Sequence, residues 1–412
     1  MILTGLLCIC LIDPLVSYPV DGYENTGIRR LKRLALILEG KLKGTPPPAG
    51  GRKSLQDIHL NLLNPRGDSL VVLPEIDDKL QKKLNDLFPN RDESYSITML
   101  EITPGKPVRF AARQADRQYA PGSVGKLLIA AGLFAELQKI YPDNPEQRQM
   151  VLRSRMIVAG KWIHVDSHQI PVFNPDDNSF SSRPAREGDV FSLYEWTDHM
   201  LSASSNAAAS VVWKELILMR AFGAAYPPTP EEEQIFFKRT PKDSLGRTAL
   251  AIVNDPIRAA GISREEWRLG SFFTKTGKSI IPAEGGSRAT PTGYMKYLIA
   301  LERGKIVDAW SSLEIKRLLY MTARRIRYAS SPALSNAAVY FKSGSQYRCK
   351  PEPDFKCGKY MGNVENIMNS VAIVEQEDGR IYLIGMMSNV LRKNSAVEHQ
   401  TLATYIDRIL KN

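Results

Sequence analysis

The chain has 412 residues, of which 43% are hydrophobic and 24% are charged, and its formal net charge is +11. This is an ordinary composition for a globular protein of one or two domains, with ample material for a large buried core. The charge does not indicate a nucleic-acid partner, because the basic residues are dispersed instead of clustered on one element among aromatic residues.

The most basic runs, at 28–34 and 322–328, are predicted to be solvated helix faces. The charge therefore supports only a mild preference for anionic surfaces such as a cell envelope.

The first residues indicate export. Residues 2–12 are apolar and end at Asp13-Pro14, a run too short to span a membrane but of the length of a signal-peptide core. Residues 1–19 are therefore predicted to be a signal peptide that directs the chain to the periplasm or the exterior, with a buried segment as the alternative. Cys8 and Cys10 lie inside this run and would be removed or inert.

Residues 20–76 are predicted to be an N-terminal extension, with the breaker GTPPPAGG at 44–51. A helix at 77–88 and two pairing strands at 94–102 and 106–114 follow. The next helix contains the stretch YAPGSVGK, 119–126.

The middle of the chain is predicted to be turn-rich over 140–190, and to consist of turns and short helical pieces over 220–290. Further helices are predicted at 192–203, 204–218, 291–304 and 311–323.

Three strands at 337–345, 369–376 and 380–389 come next, the last two joined by the hairpin signal EDG, before a closing helix at 396–410. The predicted fold class is therefore α/β (α+β). An antiparallel sheet built from both chain ends would pack against a helical block, about 123–323, inserted into it.

A phosphate-binding loop is excluded at GSVGK. Such a loop requires G-x-x-x-x-G-K-[ST], but Ala120 stands at the first glycine and Leu127 follows Lys126. The second candidate, GKS at 277–279, has Phe272 at the first glycine.

Ser123 and Lys126 instead form a Ser-x-x-Lys pair, in which residues three apart on a helix share a face. A partly desolvated, neutral lysine can take the proton of a serine hydroxyl, and a helix N-terminus favours developing negative charge. The pair alone is a weak signal, and it needs partners.

The partners follow in order as Ser204-Ser205-Asn206 and Lys342-Ser343-Gly344. The ordered set resembles the serine β-lactamases, class A type, and the penicillin-binding proteins. The surroundings LYEWTDHMLSASSNAAASVV and SRATPTGYMKYLIALERGKIV are also similar to that superfamily. The resemblance covers 77–412, which implies one serine-hydrolase domain with a β-lactamase/transpeptidase-like fold.

The resemblance also implies roles. Ser123 would become acylated, Lys126 would act as base, and Ser204 would relay the proton to the leaving nitrogen. Asn206 would hold Lys126 and the substrate amide, and Lys342 would supply positive potential. The substrate-binding residues would be Ser343, Gly344 and Ser345, with the amides of Ser123 and Ser345 forming an oxyanion hole. A plain helix cap is the alternative for Ser204 and Asn206.

The implied substrate is a β-lactam or a peptide ending in D-Ala-D-Ala, without a metal or an organic cofactor. One departure concerns the carboxylate that β-lactamases carry before their Thr-Pro helix to hold the hydrolytic water. Phe273 and Thr274 stand at the expected distance before Pro291, and Glu284 lies too close to it. Acylation could then proceed while deacylation stalls.

Two rival signals are weaker. Lys275-Thr276-Gly277 precedes Thr290-Pro291 and two helices, so it is predicted to be a surface loop and not the third motif. His164, Asp166 and His168 form a short cluster without a distant third ligand and are predicted to be exposed polar residues instead of a metal site.

Cys349 and Cys357 close a proline-rich loop, which predicts a local disulfide formed in an oxidising compartment, with two free thiols as the alternative. Three functions stay open: a β-lactamase-type hydrolase, a D,D-peptidase-like enzyme that releases penicillin slowly, and a non-catalytic envelope-binding protein of this fold.

Overall fold

The computed structural model describes residues 17–282 and 284–411, so most of the predicted leader, with Cys8 and Cys10, lies outside the described residues. The helices are α1 Gly22–Thr26, α2 Arg29–Leu38, α3 Pro65–Asp68, α4 Asp78–Asn85, α5 Lys126–Ile140, α6 Pro145–Ser154, α7 Leu193–Leu201, α8 Asn206–Phe222, α9 Pro230–Arg239, α10 Lys242–Ala259, α11 Lys275–Ile280, α12 Pro291–Glu302, α13 Ala309–Tyr320 and α14 Ala396–Lys411. The strands are β1 Ser96–Glu101, β2 Arg109–Arg113, β3 Met156–Val158, β4 Gln169–Phe173, β5 Phe180–Pro184, β6 Val190–Ser192, β7 Trp267–Arg268, β8 Arg288–Ala289, β9 Ala338–Arg348, β10 Glu365–Glu375 and β11 Ile381–Asn389.

The main sheet has the order β2-β1-β11-β10-β9, and every neighbouring pair in it is antiparallel. Its first two strands precede the helical region and its last three follow it, so the predicted sheet built from both chain ends is confirmed. Because β9 is an edge strand, one of its sides remains available to the elements that form the candidate site.

The sheet is covered on both faces, which explains why β10 and β11 are buried along nearly their whole length. On one face, Leu80 of α4 and Leu402 of α14 pack with sheet residues such as Ile384. On the other face, the sheet joins the larger hydrophobic cluster that runs through the helical region.

Helix α5 is the centre of that region. It is buried from Lys126 to Leu137, as expected for a helix that is apolar on all sides. At Gly132 a Cβ atom would lie 2.8 Å from a side-chain carbon of Leu216 and 2.9 Å from the carbonyl oxygen of Ile252, so α8 and α10 pack directly on α5. The start of α5 is therefore held firmly.

The middle of the chain contains more regular structure than predicted. Strands β4 and β5 form a hairpin in which β5 is largely exposed and polar residues do not alternate with apolar ones, and α6 precedes it. Helix α10 continues through Pro256, a residue that normally indicates a helix end. Lys275 begins α11 instead of lying in a loop, although its side chain is exposed as expected.

The N-terminal segment packs onto the body. Tyr18, Leu31 and Leu62 belong to the larger hydrophobic cluster. Arg30 of α2 is buried against Asp198 of α7 at 2.6 Å, so its basic run is only partly a solvated face. In the described part of the chain, no helix has the length and apolarity needed to cross a membrane.

Candidate active site

Ser123 lies in a 3₁₀ turn, Gly122–Gly125, that leads directly into α5. The sequence predicted an α-helix here, but the tighter turn also brings residues three apart onto the same face. The Oγ atom of Ser123 is 2.7 Å from the Nζ atom of Lys126. A serine hydroxyl and a lysine amine are thus in direct contact at the N-terminus of α5.

The Lys126 amine has two further contacts, with the carbonyl oxygen of Ser204 at 2.8 Å and with Oδ1 of Asn206 at 2.7 Å. Burial lowers the pKa of Lys126 to about 7, and the negative charge of Asp166 opposes that shift. A neutral amine can donate both of these hydrogen bonds and accept the third from the Ser123 hydroxyl. Near neutral pH, Lys126 can therefore take a proton from Ser123.

Ser204 joins two lysines. It lies between α7 and α8 with a backbone φ of 60°, an unusual conformation for a residue with a side chain. Its hydroxyl accepts a hydrogen bond from Nζ of Lys342 at 2.9 Å, while its carbonyl accepts one from Lys126. The Ser204 hydroxyl is therefore held by one lysine and its backbone by the other.

Lys342 lies on the edge strand β9 and is only 2% exposed. Its pKa is held well below the usual range by burial and by the nearby charges of Lys126 and Arg327. Arg327 is itself buried and donates to the carbonyl of Gly344 at 2.8 Å. The run 322–328 is thus not the solvated helix face that the sequence predicted, since Arg325 and Arg327 are both buried there.

Two glycines allow the Ser123 turn to touch β9. A Cβ atom on Gly344 would lie 2.4 Å from the carbonyl oxygen of Pro121 and 2.9 Å from the amide nitrogen of Ser123. A Cβ atom on Gly122, where φ is 53°, would lie 2.7 Å from the amide nitrogen of Ser345. Backbone-to-backbone contact therefore brings the amides of Ser123 and Ser345 to the same part of the site.

Asp166 is part of this site, although the sequence predicted an exposed polar residue. Its side chain is 4% exposed, and its Oδ2 accepts hydrogen bonds from the Ser205 hydroxyl and the Ala207 amide, each at 2.9 Å. Burial by itself would raise the pKa of Asp166, but the hydrogen bonds from His168 and the Ala207 amide hold it below the usual range. Asp166 thus fastens the loop that carries Ser204 and Asn206.

An aromatic ring also lies beside Lys126. The ring centroid of Phe273 is 4.7 Å from Nζ of Lys126. Thr274 points away, because its buried hydroxyl contacts Ser210 and Trp162 and caps α11. Glu284 is exposed and is absent from the described residues that line the groove at Ser123.

The sequence also raised the questions of a metal site and of a disulfide. No group of three His, Cys, Asp or Glu side chains among the described residues could hold a metal ion. The predicted disulfide between Cys349 and Cys357 is present and closes the loop after β9.

Comparison with known proteins identifies the fold. A mutant of PBP-A, solved as an acyl-enzyme complex with penicillin G, is 13% identical, covers 82% of this chain and 97% of its own, and has a TM-score of 0.52. A β-lactamase from Chitinophaga pinensis is 14% identical, covers 81% of this chain and 98% of its own, and has a TM-score of 0.52. The TLA-3 extended-spectrum β-lactamase is 12% identical, covers 81% of this chain and 97% of its own, and also has a TM-score of 0.52.

No protein-family model and no curated protein matches the sequence. The structural likeness nevertheless shows that this chain has the same fold as PBP-A and these β-lactamases.

Proposed function

We propose that the chain is a serine acyl-enzyme hydrolase of the penicillin-binding, D,D-peptidase-like kind, which acylates readily and deacylates slowly. The main support for this proposal is the distance of 2.7 Å between Oγ of Ser123 and Nζ of Lys126. Because the pKa of Lys126 is lowered to about 7, much of its amine is neutral at neutral pH. The proposed substrates are β-lactams or peptides ending in D-Ala-D-Ala.

In the acylation step, Oγ of Ser123 forms a bond with the substrate carbonyl carbon while Lys126 takes the hydroxyl proton. The carbonyl oxygen becomes an oxyanion, which the amides of Ser123 and Ser345 would stabilise, each donor contributing about 3 kcal/mol in related reactions. The bond between the carbonyl carbon and the leaving nitrogen then breaks.

The leaving nitrogen needs a proton, which the Ser204 hydroxyl would donate while it takes one from Lys342, whose Nζ atom already donates a hydrogen bond to it. Lys126 would keep the proton of Ser123, and its hydrogen bond to the Ser204 carbonyl holds this residue in position. Asn206 would orient the substrate amide while it holds Lys126. Lys342 supplies positive potential, and Ser343 with the Gly344 backbone would bind the substrate carboxylate.

The Phe273 wall supports the proposal of slow deacylation. Water must be activated beside the acyl carbon to release the product, but an aromatic ring covers that side of Lys126. A phenyl ring can neither accept a proton from water nor hold it in place. This feature favours a D,D-peptidase-like enzyme that releases penicillin slowly over an efficient β-lactamase.

We also propose that the chain works in the periplasm or outside the cell, without a metal or an organic cofactor. The disulfide between Cys349 and Cys357 supports this location, because such bonds persist in oxidising compartments.

The test is intact-mass measurement after incubation with benzylpenicillin, together with an assay for the ring-opened drug. We expect a lasting adduct of one drug molecule on the wild type, none on Ser123→Ala, and little opened drug. Ser69→Ala, an exposed serine outside the groove, is the matched control and should behave like the wild type.

Rapid formation of opened drug without an adduct would instead identify a β-lactamase. The absence of both an adduct and turnover would contradict the acyl-enzyme proposal and would favour a binding protein of this fold.

A further inference from the structure

The groove at Ser123 is larger than a β-lactam requires. It encloses about 1690 Å³, whereas pockets for drug-sized ligands usually measure about 300–1,000 Å³. Its walls include two elements that local sequence patterns do not predict there. One is the β4–β5 hairpin, and the other is the disulfide loop, meaning the whole connection between β9 and β10, which lines the groove through Lys359 and Tyr360 just beyond Cys357.

The groove is also strongly cationic. Arg117, Lys278 and Arg288 line it on the side of β2, α11 and β8, and Arg324, Arg327 and Lys359 line it on the side of the 322–328 run and the disulfide loop. Together with Lys342, the described residues that line the groove include seven basic side chains and one acidic side chain, that of Glu365.

The charges of the four arginines, of Lys278 and of Lys359 are not neutralised within the described part of the chain. None of the seven basic side chains forms an ion pair there, although many other lysines and arginines do. Arg117 and Arg288 contact the neutral amide oxygens of Gln114 and Gln118, and Glu365 itself accepts from Gln346. A cleft lined by one sign of charge attracts ligands of the opposite sign.

The disulfide loop gives this wall a defined shape. Cys349 is bonded to Cys357, and the Asn363 side chain contacts both the amide and the carbonyl of Lys350. The Tyr360 ring packs against Tyr347, which is 42% exposed. Lys359 and the two tyrosines therefore form a fixed surface, aromatic and basic, beyond the reactive serine.

We propose that the groove binds an extended acidic peptide whose reactive carbonyl lies at Ser123 and whose carboxylates contact the basic walls. This proposal rests on the proposed function, because an acyl carbonyl attached to a leaving amine implies an amide-linked chain. A peptide is favoured over a phosphate polymer for that reason: the phosphate polymer offers no carbonyl to Ser123.

The test compares two acetylated peptides that end in D-Ala-D-Ala, one with four preceding glutamates and one with four glutamines. Binding is measured by calorimetry on Ser123→Ala, and by competition with labelling of the wild type by a fluorescent penicillin. We expect the glutamate peptide to bind at least about tenfold more tightly at low salt, and this preference to shrink as salt screens the charges.

Two double variants locate the effect. Arg324→Glu with Lys359→Glu should remove the preference for glutamate. Lys79→Glu with Lys106→Glu changes the net charge equally at exposed positions outside the groove and should keep it. Loss of the preference in both variants would show that overall charge is responsible and would overturn the proposal.

The remaining outcomes separate the two proposals. Equal binding of the two peptides to a protein that penicillin labels would overturn the acidic-peptide proposal and leave the proposed function intact. The acidic-peptide proposal would also be overturned if polyphosphate competed more strongly than the glutamate peptide at an equal concentration of negative charges. A protein that penicillin does not label, but that prefers glutamate, would contradict the proposed function and support the groove assignment.

Discussion

The two walls beside Lys126 differ in chemistry. On one, Ser123, Ser204 and Asn206 surround the amine with oxygen atoms at 2.7–2.8 Å. On the other, the Phe273 ring lies 4.7 Å from the same nitrogen and offers no acceptor for a water proton. Under the proposed function, the first wall would provide the base that acylation needs, and the second would lack the acceptor that deacylation needs. The two half-reactions could then be built or lost separately in one fold.

Replacing Lys126 tests the polar wall and has the largest expected effect. Lys126→Met keeps the length of the side chain but removes the base, so the acylation rate should fall about 10²- to 10⁴-fold. The rate is measured by stopped-flow or time-resolved labelling with a fluorescent penicillin. Lys139→Met, a largely exposed lysine on the same helix, is the control and should leave the rate near that of the wild type.

An unchanged rate in Lys126→Met would show that another group takes the proton from Ser123. It would also remove the basis for the contrast between the walls.

Replacing Phe273 tests the apolar wall. Phe273→Glu places a carboxylate beside Lys126, where it can activate water, and should raise the deacylation rate about 10²-fold. The measurement is the decay of the penicillin adduct by intact mass, together with the amount of opened drug. Phe273→Gln is the matched control, since it removes the ring without adding a base.

Equal acceleration in the glutamate and glutamine variants would mean that the ring only blocks access of water. No acceleration in either would mean that deacylation is limited elsewhere in the site.

The polar wall was largely predictable from the sequence. Ser123 and Lys126 are only three positions apart in the chain, and Lys342 ends an apolar run that predicts a strand. Local periodicity was enough for these residues, and the order of the three motifs indicated that they meet. The sequence before Pro291 likewise has Phe273 and Thr274, and no carboxylate, at the distance that the resemblance implies.

The supporting residues were not predictable, because they depend on contacts between distant segments. Asp166 lies in a segment without periodicity. It accepts hydrogen bonds from Ser205 and Ala207, which are 39 and 41 positions away in the chain. Arg327 lies in a basic run that resembles an exposed helix, but it adopts a φ of 54° and turns inward. Helix α10 was obscured by Pro256, whose local preference is overridden by packing on α5 and α8.

Asp166 supports the polar wall without touching Ser123, and its replacement should have the smallest of these effects. Asp166→Asn keeps the shape of the side chain but weakens its hydrogen bonds to Ser205 and Ala207. The loop carrying Ser204 and Asn206 should then be less well positioned, and the acylation rate should fall about tenfold. Asp176→Asn, an exposed aspartate in the nearby hairpin, is the control.

The pH dependence separates positioning from general damage. In the proposed mechanism neutral Lys126 is the reactive form, so acylation of the wild type should decline as the pH falls below about 7. The charge of Asp166 raises the pKa of Lys126, and its removal should therefore move this decline to lower pH. Lys342, the other titratable group facing this amine, is unchanged in the variant. A rate that falls equally at every pH would assign Asp166 a purely structural role, whereas a shifted profile would show that it also tunes the base.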